Sequence, residues 1–236
     1  SVFDKCSVTL INIGQLYSPY KDHIYEARHV LLYTFIKTFR KKFNRIYVAD
    51  VFDIIFQSDP FVPEFNQHTM GFTTEGYYNN NDPTNNTKWI KVADPDYYSN
   101  PHFYDDKIVV NGGFYFGSTD GLLLFYKVFL SLPIFKEFTI ETIDQGYMNY
   151  LFHKGIFASN GLRPVLSYPG DYIVSARGRK FDTEPHQDGL YVPLGETDPP
   201  AAIHQYNRLP FLIDAVKKSC PSLGPDDKHP FPKIKG

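Results

Sequence analysis

The sequence predicts an α/β fold, a single domain with a mixed, mostly parallel central sheet flanked by helices. Three observations carry this expectation. A strand pattern at Ser7–Ile13, helical spacing from Asp22 to Lys42 and an apolar run at Ile46–Ala49 make a strand–helix–strand unit, which implies parallel strands joined by a right-handed crossover. Two carboxylates, Asp50 and Asp53, follow the second strand, where open α/β sheets place their ligand crevices. The chain has 236 residues, enough to bury a sizeable core without staples, and no internal repeat or linker divides it.

The elements follow in order. Val30, Leu31, Phe35, Ile36 and Phe39 recur at helical spacing, with Asp22 as the expected N-cap and Arg40, Lys41 and Lys42 suited to the negative end of the helix dipole. Asp59-Pro60-Phe61 closes the unit after Ile46–Ala49, since proline offers no ladder donor. Phe72-Thr73 is expected to begin a short strand, Tyr77–Thr87 to be a polar loop and Lys88–Val92 a strand. Ile108–Gly117 reads as two short strands separated by Gly112-Gly113. Asp120–Leu130 is an apolar helix, Glu141–His153 a second helix and Leu162–Tyr168 a strand. Ala176–Pro200 reads as loop, Ala201–His204 as a short apolar run, and 221–236 as a poorly structured tail.

Composition limits the function classes. The 24 basic and 26 acidic side chains give a net charge of −2, which argues against a general nucleic-acid binder. No apolar run approaches the roughly 20 residues of a membrane span. Cys6 and Cys220 lie near opposite ends and Asn85-Asn86-Thr87 is a glycosylation sequon. A Cys6–Cys220 disulfide and a glycan fit the lumen of the secretory pathway or secretion, with the cytoplasm as the alternative compartment.

Four clusters carry potential chemistry, and each has a plain structural reading beside a functional one. Asp50 and Asp53 repel unless a cation lies between them, and carboxylate oxygens suit Mg²⁺ or Mn²⁺; otherwise they are solvated acids in an Asx turn. Asn111-Gly112-Gly113 either admits a ligand close to the backbone or forms a bulge. Asp144-Gln145 sits near a helix start, where an acid is favoured without any function. His204 is either a core histidine or a metal ligand.

The order of these clusters is more specific than any one of them. Asp50-x-x-Asp53-x-x-Phe56-Gln57-x-Asp59-Pro60-Phe61, then Asn111-Gly112-Gly113-Phe114-Tyr115-Phe116-Gly117, then Asp144-Gln145-Gly146-x-x-Asn149, then Ile203-His204-Gln205-Tyr206-Asn207-Arg208 resembles the GT-A-type nucleotide-sugar glycosyltransferases. The likeness covers roughly Ile24 to Arg208 and is strongest to eukaryotic sequences with a D-x-R-D-x-x-F-Q-x-D-P-F core. It implies a single GT-A-like domain over 1–236 and a metal-dependent transfer of a sugar from a nucleoside-diphosphate-sugar donor to a glycan, protein or small-molecule acceptor. Asp50 and Asp53 match the outer acids of that family's DxD signature, with one extra residue between them, and His204 matches the histidine that completes its metal site. Asn111 and Gly112 match the loop facing donor sugar or acceptor, and Asp144 and Gln145 the acid–amide pair near the transferring sugar; Gly113 and Asn207 are further substrate-binding candidates, and the charge of Arg208 suits a contact to phosphate. Retention of anomeric configuration is suggested by the Asp-Gln pair alone. Two departures stand out: Phe52 replaces the arginine of many relatives, and one strand rather than a βαβ unit precedes the Asp22 helix, so that the base pocket is expected to be built differently or the first βαβ segment to be lacking. The alternatives are an inactive scaffold of the same fold and a metal-dependent hydrolase or nucleotidyltransferase using the same acids.

Overall fold

The computed structural model describes residues 16–17, 22–50, 53–61, 67–81, 86–137, 144–167, 173–186 and 188–219. Cys6, Cys220, Phe52, Asn85, the strand expected at Ser7–Ile13 and the tail at 221–236 lie outside them. The first helix, α1, spans Ile24–Thr38. It is followed by β1 (Arg45–Ala49), β2 (Ile54–Phe56) and β3 (Thr69–Tyr78). Next come α2 (Asn86–Ala93), β4 (Ile108–Ser118), α3 (Thr119–Phe129) and α4 (Ile134–Glu137). Then α5 (Asp144–His153), α6 (Ile156–Ser159), β5 (Arg163–Ser167), β6 (Ile173–Ser175), β7 (Ala202–His204) and α7 (Pro210–Ser219) complete the described chain.

Two sheets form. The larger has the order β1-β4-β3-β5 and the smaller β2-β7-β6. Both are mixed: β1–β4, β3–β4 and β2–β7 are antiparallel, while β3–β5 and β6–β7 are parallel. The fold is therefore α/β, but the described pairings are not mostly parallel, and β1 ends its described sheet rather than lying at the centre. Hydrophobic period identifies a strand and its buried face; it carries no information about the direction of a partner about 70 residues away in β4.

Alternation along β1 and β4 sorts the layers. Tyr47 and Ala49 join Phe114, Phe116, Ile54, Ile173 and Ala202 in the cluster between the two sheets. Ile46, Val48 and Tyr115 face the other way, into the main core. There α3 presents Leu122, Phe125, Tyr126 and Phe129, spaced i, i+3, i+4, i+7 as one helical stripe requires. Ser118 caps α3 by accepting from the Gly121 amide at 2.9 Å. Helix α7 seals the outer side of the small sheet with Leu212 against Val174 and Ile203.

Other expectations shift. Helix α1 starts one residue after His23, which makes no side-chain cap bond, and Arg40–Lys42 lie in the turn beyond it. β3 is ten residues long, not a short piece at Phe72-Thr73. Lys88–Val92 is helical, within α2, because Ile90 and Ala93, three apart, are the positions that reach the core. Ile108–Gly117 is one strand. α7, not among the elements expected from sequence, begins at Pro210, a first-turn position where proline is tolerated.

Gly146 marks where α5 meets α2. A Cβ there would stand 2.7 Å from Cβ and 2.8 Å from the backbone of Trp89. Backbone cannot yield as a flexible side chain does. The gain of up to about 1 kcal/mol in helix propensity from Gly→Ala is therefore smaller than the roughly 1–3 kcal/mol cost of overpacking. Gly146→Ala is expected to be net destabilising, with a melting temperature lower by several degrees; an unchanged or raised value would refute the close packing.

Candidate functional site

The site forms where β4 loses its partner. β1 pairs with β4 up to Ala49 opposite Phe114, and the Asp50 amide then donates to Gly113 O at 2.9 Å. On the other side the β3–β4 register jumps between Phe72↔Tyr115 and Thr74↔Val110, so β4 bulges across Asn111–Gly113. Side chains replace the lost ladder. Gln145 Oε1 accepts from Gly112 N at 2.8 Å, Asn111 Oδ1 accepts from Gly113 N at 2.8 Å, and Asn149 Oδ1 accepts from Val110 N at 2.9 Å. Of the two sequence readings of Asn-Gly-Gly, the structure shows the bulge, and the groups that approach its backbone closely are the chain's own side chains.

Gly113 has no room for a side chain. A Cβ there would stand 2.5 Å from Asp50 Oδ2 and 3.0–3.1 Å from the His204 ring. Asp50, Asp53 and His204 each offer a ligand atom, and these lie within 4.8 Å of one another. Ligands on one Mg²⁺ sit about 2.1 Å from the ion, hence roughly 3–4.2 Å apart. His204 is fully buried, with Ile54 and Ser175 opposite it in the small sheet. Neither of its ring nitrogens, nor Asp53 Oδ1, has a hydrogen-bond partner among the described residues. Asp53 Oδ1 approaches His204 Nε2 at 3.3 Å, without the alignment of a hydrogen bond. Buried imidazole nitrogens are normally satisfied, so two orphans beside two carboxylates fit a hard or borderline divalent cation. The next residue, Gln205, is the one described non-glycine with positive φ, at 59°, a strained conformation of the kind that clusters at functional sites.

Sequence reasoning missed Arg28 on α1. Its Nη1 donates to Asp50 Oδ1 at 2.8 Å, its Nε to Asp144 Oδ2 at 2.9 Å and its Nη2 to Gly112 O at 3.3 Å; Nη2 also meets Asp144 Oδ2. Burial opposes this charge, but the Asp144 and Asp50 carboxylates outweigh it and hold the guanidinium above its usual range. An arginine on an amphipathic helix reads as solvated, so no local signal marks it. Asp50 is about half exposed; partial burial, with Asp53 nearby, still holds its carboxyl above the usual range despite Arg28.

Asp144 and Gln145 are buried and engaged from behind. Burial alone would raise the Asp144 pKa, but Arg28 and His29 outweigh it and hold it below the ordinary range. His29 Nε2 lies 2.8 Å from Asp144 Oδ2, and the Tyr115 hydroxyl joins His29 Nδ1 at 3.4 Å and Tyr126 at 2.8 Å. Gln145 Nε2 donates to Asn86 Oδ1 at 2.6 Å. Asn111 Nδ2 donates to Glu75 Oε1. Asn207 and Arg208 are exposed on a 3-10 turn, Tyr206–Arg208, just past His204. A cleft of about 610 Å³ between Arg40, Asn44, Gln67 and Asp120 lies at the opposite end of β1 and β4 and includes none of these residues.

Comparison with known proteins finds no family model that matches the chain and no curated sequence that matches it. No described helix is long and apolar enough to cross a membrane.

The buried imidazole makes a prediction. Burial pushes the His29 pKa down, and Asp144 only partly offsets this. The unfolded chain therefore takes up this proton first, near pH 6.5, and stability present above that pH is lost as pH falls below it. The slope contributed by His29 reaches about 1.4 kcal/mol per pH unit. Urea titrations from pH 7.5 to 5 should show a smaller decline in His29→Gln, which keeps a donor and cannot titrate; parallel declines in both proteins would count against a neutral buried His29.

Proposed function

We propose that the chain is a metal-dependent glycosyltransferase of GT-A-like architecture, acting on a nucleoside-diphosphate-sugar donor. The observation that carries this reading is the convergence of Asp50, Asp53 and His204, with both imidazole nitrogens buried and unbonded. The sequence order of motifs supplies the reaction class, and the α/β architecture is compatible with it. Asp50, Asp53 and His204 would hold Mn²⁺ or Mg²⁺. Such a cation, when bound, supplies Lewis-acid stabilisation of negative charge on a departing diphosphate.

The chain's own residues do the rest. Gly112 and Gly113 let the β4 backbone run against Asp144, Gln145, Asp50 and His204, where a side chain would push those groups apart. Arg28 ties Asp50 to Asp144 and so relates the cation site to the acid that faces the donor sugar. Asp144, kept ionised, accepts hydrogen bonds from sugar hydroxyls or stabilises an oxocarbenium-like centre. Gln145 acts as a positioning residue, since its amide spans Gly112 N and Asn86. Arg208, exposed at the rim, adds a contact to phosphate.

Calorimetry with Mn²⁺ and a panel of nucleotide sugars, followed for released nucleotide, tests the reading. Wild type should bind Mn²⁺ and release nucleotide slowly without acceptor. Asp53→Ala should abolish metal-dependent nucleotide binding with the fold intact. His204→Ala should weaken it less, because a water can take the vacated position. Gly113→Ala should also abolish Mn²⁺ binding, because its Cβ displaces Asp50 and His204. Mn²⁺ affinity unchanged in Asp53→Ala would refute the site, binding without turnover would favour the scaffold, and cleavage of sugar-free nucleotides would favour the hydrolase.

A further inference from the structure

A second guanidinium belongs to the segment that follows β6, the strand beside His204, and its terminal nitrogens have no hydrogen-bond partner among the described residues. Arg177 follows β6 by two residues. Ser175 of β6 pairs with His204 in the β6–β7 ladder, and the Ala176 amide donates to His204 O at 2.8 Å. The Arg177 side chain is mostly buried, at 19% exposure. Its Nε lies 3.3 Å from Glu75 Oε2 and its guanidinium carbon 5.8 Å from the centre of the Tyr77 ring. Glu75 is almost fully buried on β3. Its other oxygen accepts from Asn111 Nδ2, and Asn111 Oδ1 accepts from the Gly113 amide. An ion pair from Arg177 to Glu75 and two hydrogen bonds through Asn111 therefore connect Arg177 to the backbone beside Asp50 and His204. Arg28 has its donors committed to Asp50, Asp144 and Gly112, and the Arg208 side chain stands in solvent. Among the basic groups around the triad, Arg177 combines a fixed stem with unbonded donors.

A guanidinium ion-paired with a buried carboxylate 3.3 Å from its Nε and lying over a ring is confined in position, although the Glu75 oxygen that faces it makes no hydrogen bond among the described residues. Preorganised arginine forks are suited to phosphate oxygens, which they bind through charge-assisted and often paired hydrogen bonds. Glu75 serves this as the charge partner of the stem: one oxygen accepts from Asn111, and the other, buried and without a hydrogen bond among the described residues, faces the Arg177 guanidinium.

We propose that Arg177, positioned by Glu75, Asn111 and Tyr77, is an oxyanion contact of this site and binds the phosphate oxygens of a diphosphate. The inference rests on the reading of the site as one that receives a nucleoside diphosphate. It adds a second arginine to Arg28 at the site and assigns Glu75 a positioning role.

Inorganic pyrophosphate is the probe, titrated calorimetrically with and without Mn²⁺ into wild type, Arg177→Gln, Arg177→Lys and Glu75→Gln, each checked by circular dichroism. Arg177→Gln should weaken pyrophosphate roughly ten- to hundredfold while leaving affinity for Mn²⁺ alone within about twofold. Arg177→Lys should recover part of the loss, because a point charge replaces the fork. Glu75→Gln should weaken pyrophosphate less than Arg177→Gln. A measurement that needs no variant is phenylglyoxal modification mapped by mass spectrometry: Arg177 should be labelled in the free protein and protected by pyrophosphate. Equal pyrophosphate affinity in wild type and Arg177→Gln, or labelling unaffected by pyrophosphate, overturns the proposal. Failure of wild type to bind Mn²⁺ would instead refute the metal reading, and Arg177-dependent pyrophosphate binding without metal would still uphold this one.

Discussion

One constraint shapes the site: the β4 backbone at Gly112–Gly113 must pass between two sets of polar side chains. On one side a Cβ at Gly112 would meet Gln145 at 3.0 Å and Asp144 Oδ1 at 3.4 Å; on the other, one at Gly113 would meet Asp50 and His204. The ladder cannot continue through such crowding, so the strand bulges and its amides turn to Gln145 and Asn111. Those two side chains in turn bind Asn86 and Glu75. Exchanging ladder bonds for the side-chain acceptors Gln145 and Asn111 is tolerable because the Gly112 and Gly113 amides remain satisfied.

Charge balance follows from the same crowding. Asp50, Asp53 and Asp144 converge, and the described cation touching two of them is Arg28. Buried ion pairs seldom add net stability, because desolvation offsets attraction. Removing one member is costly, since it leaves a charge unpaired. The Arg28 bridge is therefore better understood as fixing geometry between α1, β1 and α5 than as a source of stability. His29, the next residue on α1, completes the hold on Asp144 from within the core.

How much of this was legible depended on whether the information was local. Acids at the end of an apolar strand and a histidine after a second apolar run are local patterns, and Asp50, Asp53 and His204 do come together in the structure. Helices α3 and α5 were legible as elements, the first from its apolar run. Arg28 and Glu75 were not, because an arginine on a polar-flanked helix and a glutamate in a Thr-Thr-Glu-Gly strand look like surface residues. Their burial is set by partners at Asp144 and Arg177, 116 and 102 positions away. Lys88–Val92 misled for a different reason: short, partly apolar runs fit strand and helix alike, and the decision lay in the contact with Gly146. Strand direction was illegible because residues alternate identically in parallel and antiparallel pairs.

The placement of His204 has one more consequence. Asp50 hangs from the tip of β1 in the larger sheet, whereas His204 is the last residue of β7 in the smaller one. No single element, and no single hairpin, contains the triad. Side chains alternate along a strand, so a slip of one residue in β7 would turn His204 to the opposite face. The triad is thus a gauge of how the two sheets are registered against each other, and it exists only once both have docked. A partly folded chain can have every strand formed and still have no site.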